Sequence, residues 1–223
     1  MKIIITGATG MVGSELLKQS LLDSDIKKVT AIVRKPLNIQ NPKLNVIVHS
    51  NFLDYLGLAE VFKEHEACLW CLGISQTKVK SDEEYHTITY DYAINAAKAM
   101  LQHNPSISFL FLSGMGADST MKSRTLFARV KGKTENDLQK LPFEQLYLLR
   151  PGGIKPSHWG GSSTLMEKII YPLFPLFKLL MPNSVITSTQ LAKIMLHIAK
   201  HSSDKQLMEN HNLLEIEKSF LSK

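Results

Sequence analysis

Six short stretches of the chain are apolar mostly at consecutive positions: Lys2–Thr6, Lys28–Arg34, Asn45–His49, Ala67–Leu72, Ile107–Ser113 and Gln145–Arg150. A strand with apolar residues on both faces must be covered on both, which is the condition of an interior strand in a parallel sheet. The segments between them carry a helical period. Met11–Leu22 holds Val12, Leu16, Leu17 and Leu21, and Asp54–Glu64 holds Leu58, Val61 and Phe62. Glu83–Leu101 opens with Ser81 and Glu84 at capping-box spacing and sets Tyr85, Ile88, Tyr92, Ala96 and Ala99 on one stripe. Thr125–Leu141 is a further helix, ended by Pro142. Strands alternating with helices give right-handed βαβ crossovers, hence an α/β, doubly wound parallel sheet with helices on both faces.

After Arg150 the pattern changes. Pro151-Gly152-Gly153 and Trp159-Gly160-Gly161-Ser162-Ser163 read as irregular chain. Thr187–His201 reads as a helix, and the tail from Asp204 as a short strand and a last helix, Asn212 to Phe220. The expectation is one domain over 1–223, with 151–223 supplying a small substrate-side cap and the C-terminal elements. At 223 residues and 44% hydrophobic content the chain can bury a core without staples and is too apolar for disorder. Two cysteines cannot build a disulfide framework, so a reducing, cytoplasmic setting is expected. The formal charge is +6, but it is scattered apart from Lys122, Arg124, Arg129, Lys131 and Lys133, and no nucleic-acid partner is expected. The first apolar stretch runs directly into Thr6-Gly7, too short for a signal sequence. The greasiest run, Leu165–Pro182, contains Glu167, Lys168 and Lys178 and is broken by Pro172 and Pro175. Its uncharged part falls short of the roughly 20 residues a membrane span needs, so it reads as a buried or partner-facing flap.

The first strand ends in Thr6-Gly7-Ala8-Thr9-Gly10-Met11-Val12-Gly13, with glycines at 7, 10 and 13 between a strand and a helix. So tight a turn favours residues without a Cβ, as does close approach of a pyrophosphate to backbone N–H groups, and the following helix N-terminus adds donors and a favourable dipole. Thr9, Met11 and Val12 fall in the same turn. At the end of the second strand, where enzymes that use NAD place an acidic residue against the ribose hydroxyls, the chain reads Val33-Arg34-Lys35. No acidic residue occurs between Asp25 and Asp54. Arg34, with Lys35 beside it, can pair with a 2′-phosphate as a charge-assisted fork, so NADP(H) is the expected cofactor; the other reading is a solvated basic loop. Ligands of open α/β sheets lie beyond the carboxyl ends of the strands. This topology puts Cys71-Leu72-Gly73 near the adenosine and phosphates, and Pro151 to Ile154 near the nicotinamide.

With these segments in place the chain resembles the short-chain dehydrogenase/reductase superfamily, and within it the atypical branch of Tat-interacting oxidoreductase-like and NmrA-like proteins. The resemblance rests on Thr6–Gly13, Ala31–Arg34, Cys71-Leu72-Gly73, Asp91-Tyr92, Leu112-Ser113, Val130-Lys131-Gly132, Arg150-Pro151-Gly152 and a short match at Lys205–Glu209. It implies a Rossmann-like fold and hydride transfer to or from a small carbonyl-type substrate. It further implies a catalytic serine at Ser113 and a lysine at Lys131 that also holds the nicotinamide ribose. Members of the superfamily carry a tyrosine four residues before that lysine, where this chain has Phe127. A phenyl ring has no proton to give, so a second reading stands beside the enzyme: an NADP(H)-binding redox sensor or partner-binding regulator. A homo-oligomer or a protein partner is left open. Ile74, Met115, Ile154 and Trp159 suggest a small, largely apolar substrate.

Two tempting signals are discounted. Cys68 and Cys71 have redox-pair spacing, yet three residues along a strand put their side chains on opposite faces. His197 and His201 lie four apart on a helix but have no third ligand nearby in sequence.

Overall fold

All six apolar runs are strands, and their order follows from the crossovers between them. The computed structural model describes residues 1–157 and 182–221. Strands β1 (Lys2–Thr6), β2 (Lys28–Val33), β3 (Leu44–Val48), β4 (Ala67–Trp70), β5 (Ser108–Leu112), β6 (Leu146–Arg150) and β9 (Leu207–Glu209) form one sheet in the order β3-β2-β1-β4-β5-β6-β9. Every neighbouring pair is parallel. The order reverses between β1 and β4, and this reversal opens the crevice at which such sheets bind ligands.

Both faces of the sheet are packed. On one side α1 (Met11–Leu22), α6 (Ser188–His201) and α7 (Asn210–Leu221) cover Ile3, Ile5, Val29, Leu69 and Leu149. On the other, α2 (Ala59–Glu64), α4 (Tyr92–His103) and α5 (Leu126–Gln139) cover Ile4, Ile32, Trp70, Phe109 and Leu148. Adjacent residues of one strand thus belong to opposite cores, which is why the runs are apolar at consecutive positions. Cys68 lies in the second core and Cys71 packs against the first, as the parity of their spacing requires.

Four details differ from the sequence reading. The helix expected from Asp54 begins at Ala59, because Gly57 takes φ +85° and holds the preceding segment in turns. The long helix expected at Glu83–Leu101 is α3 (Asp82–His86), a π-helical turn over Thr87–Asp91, and α4. Ser81 Oγ accepts from Glu84 N–H, but the Glu84 carboxylate accepts from Lys80 N–H and not from Ser81, so the capping box is half made. Gly153, read as irregular, opens a strand: β7 (Gly153–Lys155) pairs in parallel with β8 (Val185–Thr187) in a separate two-stranded sheet. The short strand expected in the tail is β9, which extends the main sheet, and α6 lies along α1 in its core. Thr187 starts α6 with a complete capping box to Gln190. The Leu165–Pro182 run and Trp159 lie outside the described residues, apart from Pro182. No helix among the described residues is long and apolar enough to cross a membrane.

Candidate functional site

The turn after β1 is built on two backbone contacts that leave no room for a side chain. Gly7 has φ +67°, and a Cβ on it would lie 2.5 Å from the carbonyl oxygen of Cys71. A Cβ on Gly13 would lie 2.1 Å from the carbonyl oxygen of Gly7. The first turn of α1 is thereby pressed onto the loop after β4, and Leu72 N–H donates to Thr6 Oγ1 at 3.2 Å. Gly10 is the N-cap of α1 and offers no side-chain cap, so the helix begins with N–H donors that no side chain claims. An anion placed there meets both the donors and the dipole. The cradle fits a dinucleotide pyrophosphate.

From this cradle a cleft of about 600 Å³ extends past the ends of β4, β5 and β6. Among the residues singled out from sequence, Gly10, Met11, Val12, Cys71, Leu72, Gly73, Ser113, Lys131, Pro151 and Ile154 line it. Ile74, Met115 and Phe127 complete the apolar part of the wall. Gly7 and Gly13 stand outside the lining and act as packing contacts of the turn. Thr9, in the turn, and Arg34 and Lys35, just past β2, are exposed and stand outside the lining. Since β2 pairs directly with β1, Arg34 emerges on the sheet edge of the glycine turn.

Helix α5 supplies one wall of the cleft through Phe127 and Lys131. Residues 127, 131 and 135 follow one another at helical spacing, so Phe127, Lys131 and Glu135 share a face. Lys131 is 7% exposed; its Nζ donates to Leu112 O at 2.9 Å and lies 4.6 Å above the Phe111 ring. Burial pushes this ammonium down to about 8, against the opposing pull of Glu135 and Cys71. Burial also pushes the Cys71 thiol up to about 12, which leaves it a neutral wall of the cleft and no nucleophile. The tip of the Phe127 ring rests on Gly114, where a Cβ would come within 2.8 Å of it. The loop between β5 and α5 lies directly on Gly132, whose missing side chain admits the Asp118 backbone, and Asp118 N–H donates to Ala128 O at 2.9 Å.

One element of the site went unrecognised in the sequence. The hydroxyl of Ser113 does not return to its own backbone; it donates to Oε1 of Glu135. Glu135, 1% exposed, is gripped by Arg150, whose Nε donates to its two oxygens at 2.9 and 3.2 Å and whose Nη2 donates to Oε2. Arg150 also donates to Glu209 at 2.9 Å, tying β6 to β9, and its guanidinium is held well above its ordinary value, chiefly by its hydrogen bond to Glu135. The available signal was a glutamate one helical turn after Lys131, together with an arginine at the end of an apolar strand.

A parallel seven-stranded sheet and a glycine-built helix N-terminus at its switch point, with a serine and a lysine in the adjoining cleft, define a dinucleotide-binding fold. The family model described as NAD(P)H-binding matches residues 7–166, and the chain belongs to that family. It is 31% identical over 173 residues to "Protein FMP52, mitochondrial" of Candida albicans, covering 73% of each chain. It is 30% identical over 167 residues to "Protein HTATIP2" of Rattus norvegicus, covering 70% of this chain and 67% of that one. Among solved structures, Gre2 of Candida albicans in complex with NADPH superposes with a TM-score of 0.69 at 14% identity, covering 94% of this chain and 78% of the other. The oxidoreductase ylbE of Lactococcus lactis superposes at 0.65 with 19% identity, covering 100% and 98%. These two likenesses bear on the fold alone.

Proposed function

We propose that the protein is an NADP(H)-dependent oxidoreductase of the atypical short-chain type, acting on a small, largely apolar substrate of the alcohol/carbonyl class. The observation that carries the reading is the convergence of the uncapped N-terminus of α1 with Ser113 and Lys131 in one cleft. The turn Gly7–Gly13 binds the pyrophosphate through backbone N–H groups. Arg34 and Lys35 receive the 2′-phosphate, a preference for NADP(H) that their position beside the glycine turn supports. Cys71, Leu72 and Gly73 flank the phosphates, and Pro151 and Ile154 wall the nicotinamide end. When bound, the nicotinamide supplies or accepts the hydride. Lys131 holds the ribose, and with its ammonium brought near 8 by burial it can give or take a proton close to neutral pH. Ser113 meets the substrate oxygen, while Ile74, Met115 and Phe127 exclude water.

The test is NADPH consumption against a carbonyl panel and NADP⁺ reduction against the matching alcohols, with Lys131→Ala as control. Tight cofactor binding without turnover on any substrate defeats the enzyme reading. Phe127 favours a second reading, a redox sensor or partner-binding regulator, because the usual phenol is missing from the catalytic stripe. A sensor must bind a partner, or resist denaturation, differently with NADP⁺ and NADPH. For the compartment we propose the cytoplasm, on the ground that Cys68 and Cys71 are free thiols. The fungal relatives are named mitochondrial, and cell fractionation decides between the two.

A further inference from the structure

Ser113 has one proton and two lone pairs, and in an open cleft such a hydroxyl turns to suit whatever it meets. Here it cannot turn freely. A carboxylate held at both oxygens by a guanidinium only accepts, so the hydrogen bond between Ser113 and Glu135 must be donated by the serine. Glu135 and Ser113 are both buried, at 1% and 8% exposure, and water is poorly placed to compete. The proton of Ser113 is thus directed into the protein, and only its lone pairs remain for the cleft it lines.

We propose that Glu135 is a positioning residue that locks Ser113 as a hydrogen-bond acceptor toward the cleft, so that the site selects the hydroxyl-bearing, alcohol form of its substrate over the carbonyl form. The assignment rests on the oxidoreductase reading and sharpens it. A serine meant to steady a carbonyl oxygen must donate, and this one has no proton left to donate. An alcohol supplies the missing donor. The reaction that consumes the selected form is oxidation: the C–H bond of the alcohol carbon breaks with its electron pair going to NADP⁺, and the O–H proton leaves to a base of the site or to solvent. Replacing Glu135 with glutamine loosens the lock. Oε1 accepts from Arg150 Nε as well as from Ser113, so an amide oxygen turned to Ser113 holds the serine proton with a weaker, neutral acceptor, and an amide N–H turned to it makes the serine accept from the protein and frees its proton for the cleft.

The experiment uses the full chain saturated with NADP⁺ and the matched probes cyclohexanol and cyclohexanone, their affinities read by ligand-observed NMR titration. Cyclohexanol is expected to bind about 3- to 10-fold more tightly, the worth of one neutral hydrogen bond. Ser113→Ala should erase that ratio, and Glu135→Gln should lower it, an outcome a merely structural glutamate would not produce. Equal or tighter binding of the ketone to the wild type overturns the inference, as does a ratio indifferent to Ser113→Ala or failure of both probes to bind up to their solubility. Ser113→Ala removes only an oxygen, so it keeps the test decisive if Glu135→Gln does not fold. NADP⁺ titrated first separates the two readings. A protein that takes up no NADP⁺ refutes the oxidoreductase proposal and this one together, whereas uptake with the wrong probe ratio refutes only the locked serine.

Discussion

Replacing Gly13 with alanine tests whether the glycine turn is a ligand cradle held by its own packing. The added Cβ would sit 2.1 Å from the carbonyl oxygen of Gly7, and contacts below 3.0 Å are essentially never tolerated, so the turn must open by about 0.9 Å. It has nowhere to go. Gly7 lies against Cys71 so closely that its own missing Cβ would fall 2.5 Å from the Cys71 oxygen. Overpacking of this kind costs about 1–3 kcal/mol, which in a chain of this size lowers the melting temperature by about 2–12 °C. The ligand suffers more. Shifting the first-turn donors by that distance takes them out of hydrogen-bonding range, and two charge-assisted bonds at about 1.5–3 kcal/mol each amount to about 10²- to 10⁴-fold weaker cofactor binding. NADPH fluorescence titration and thermal denaturation read the two effects. Gly73→Ala is the control for the melting temperature alone, because a Cβ there meets nothing of the protein within 4 Å but faces the cleft. Gly13→Ala binding NADPH within threefold of the wild type, with an unchanged melting temperature, would falsify the reasoning.

Arg34→Ala should weaken NADPH about 10- to 100-fold, the loss of a charge-assisted fork, and leave NADH nearly unchanged; parallel titrations decide, and equal loss for both cofactors argues against 2′-phosphate recognition. Phe127→Tyr restores a phenol one turn before Lys131 and should raise turnover by about 10²- to 10⁴-fold in the panel assay if a missing acid–base group is all that limits the enzyme; no gain favours the sensor. His65 sets an acid limit on stability: its Nδ1–H donates to Val61 O, its Nε2 pairs with the Thr30 hydroxyl at 2.9 Å, and burial holds the ring below its ordinary value. The unfolded chain then binds the extra proton first, so this contribution is complete above about pH 6.5 and is lost as pH falls below it. Urea midpoints between pH 7.5 and 5 should fall more steeply for the wild type than for His65→Gln, and parallel curves would remove His65 from the account.

The strands were legible because a parallel sheet covered on both faces imposes consecutive apolar residues, a pattern that local sequence carries whole. Helix α1 was legible to the residue, since the glycine turn sets its start and the loss of apolar period after Leu22 sets its end. The pairing of β7 with β8 was not. Three-residue strands have too little period to register, and their partners lie some 30 residues apart in the chain. Nor could local pattern distinguish the π-helical turn at Thr87–Asp91 from an ordinary helix, because its stripe of apolar residues is continuous on either side.

The site shows the same division more sharply. Residues whose role is a backbone role, such as Gly7 and Gly13, announce themselves by type and spacing. Residues whose role depends on a partner do not. Ser113 looks like a donor when read beside Lys131, and only the fold brings Glu135, 22 positions later, to its hydroxyl, and Arg150, 37 positions later, to Glu135. Burying the charges of Glu135 and Arg150 has a desolvation cost that a serine and a neighbouring strand alone would not justify, and a pair of apolar residues of similar volume would hold β6 to α5 at least as well. What the apolar pair would not do is dictate where the Ser113 proton points. On the proposal above, the ion pair is a device for setting the polarity of the cleft, with Lys131 in its wall and Glu135 buried behind Ser113.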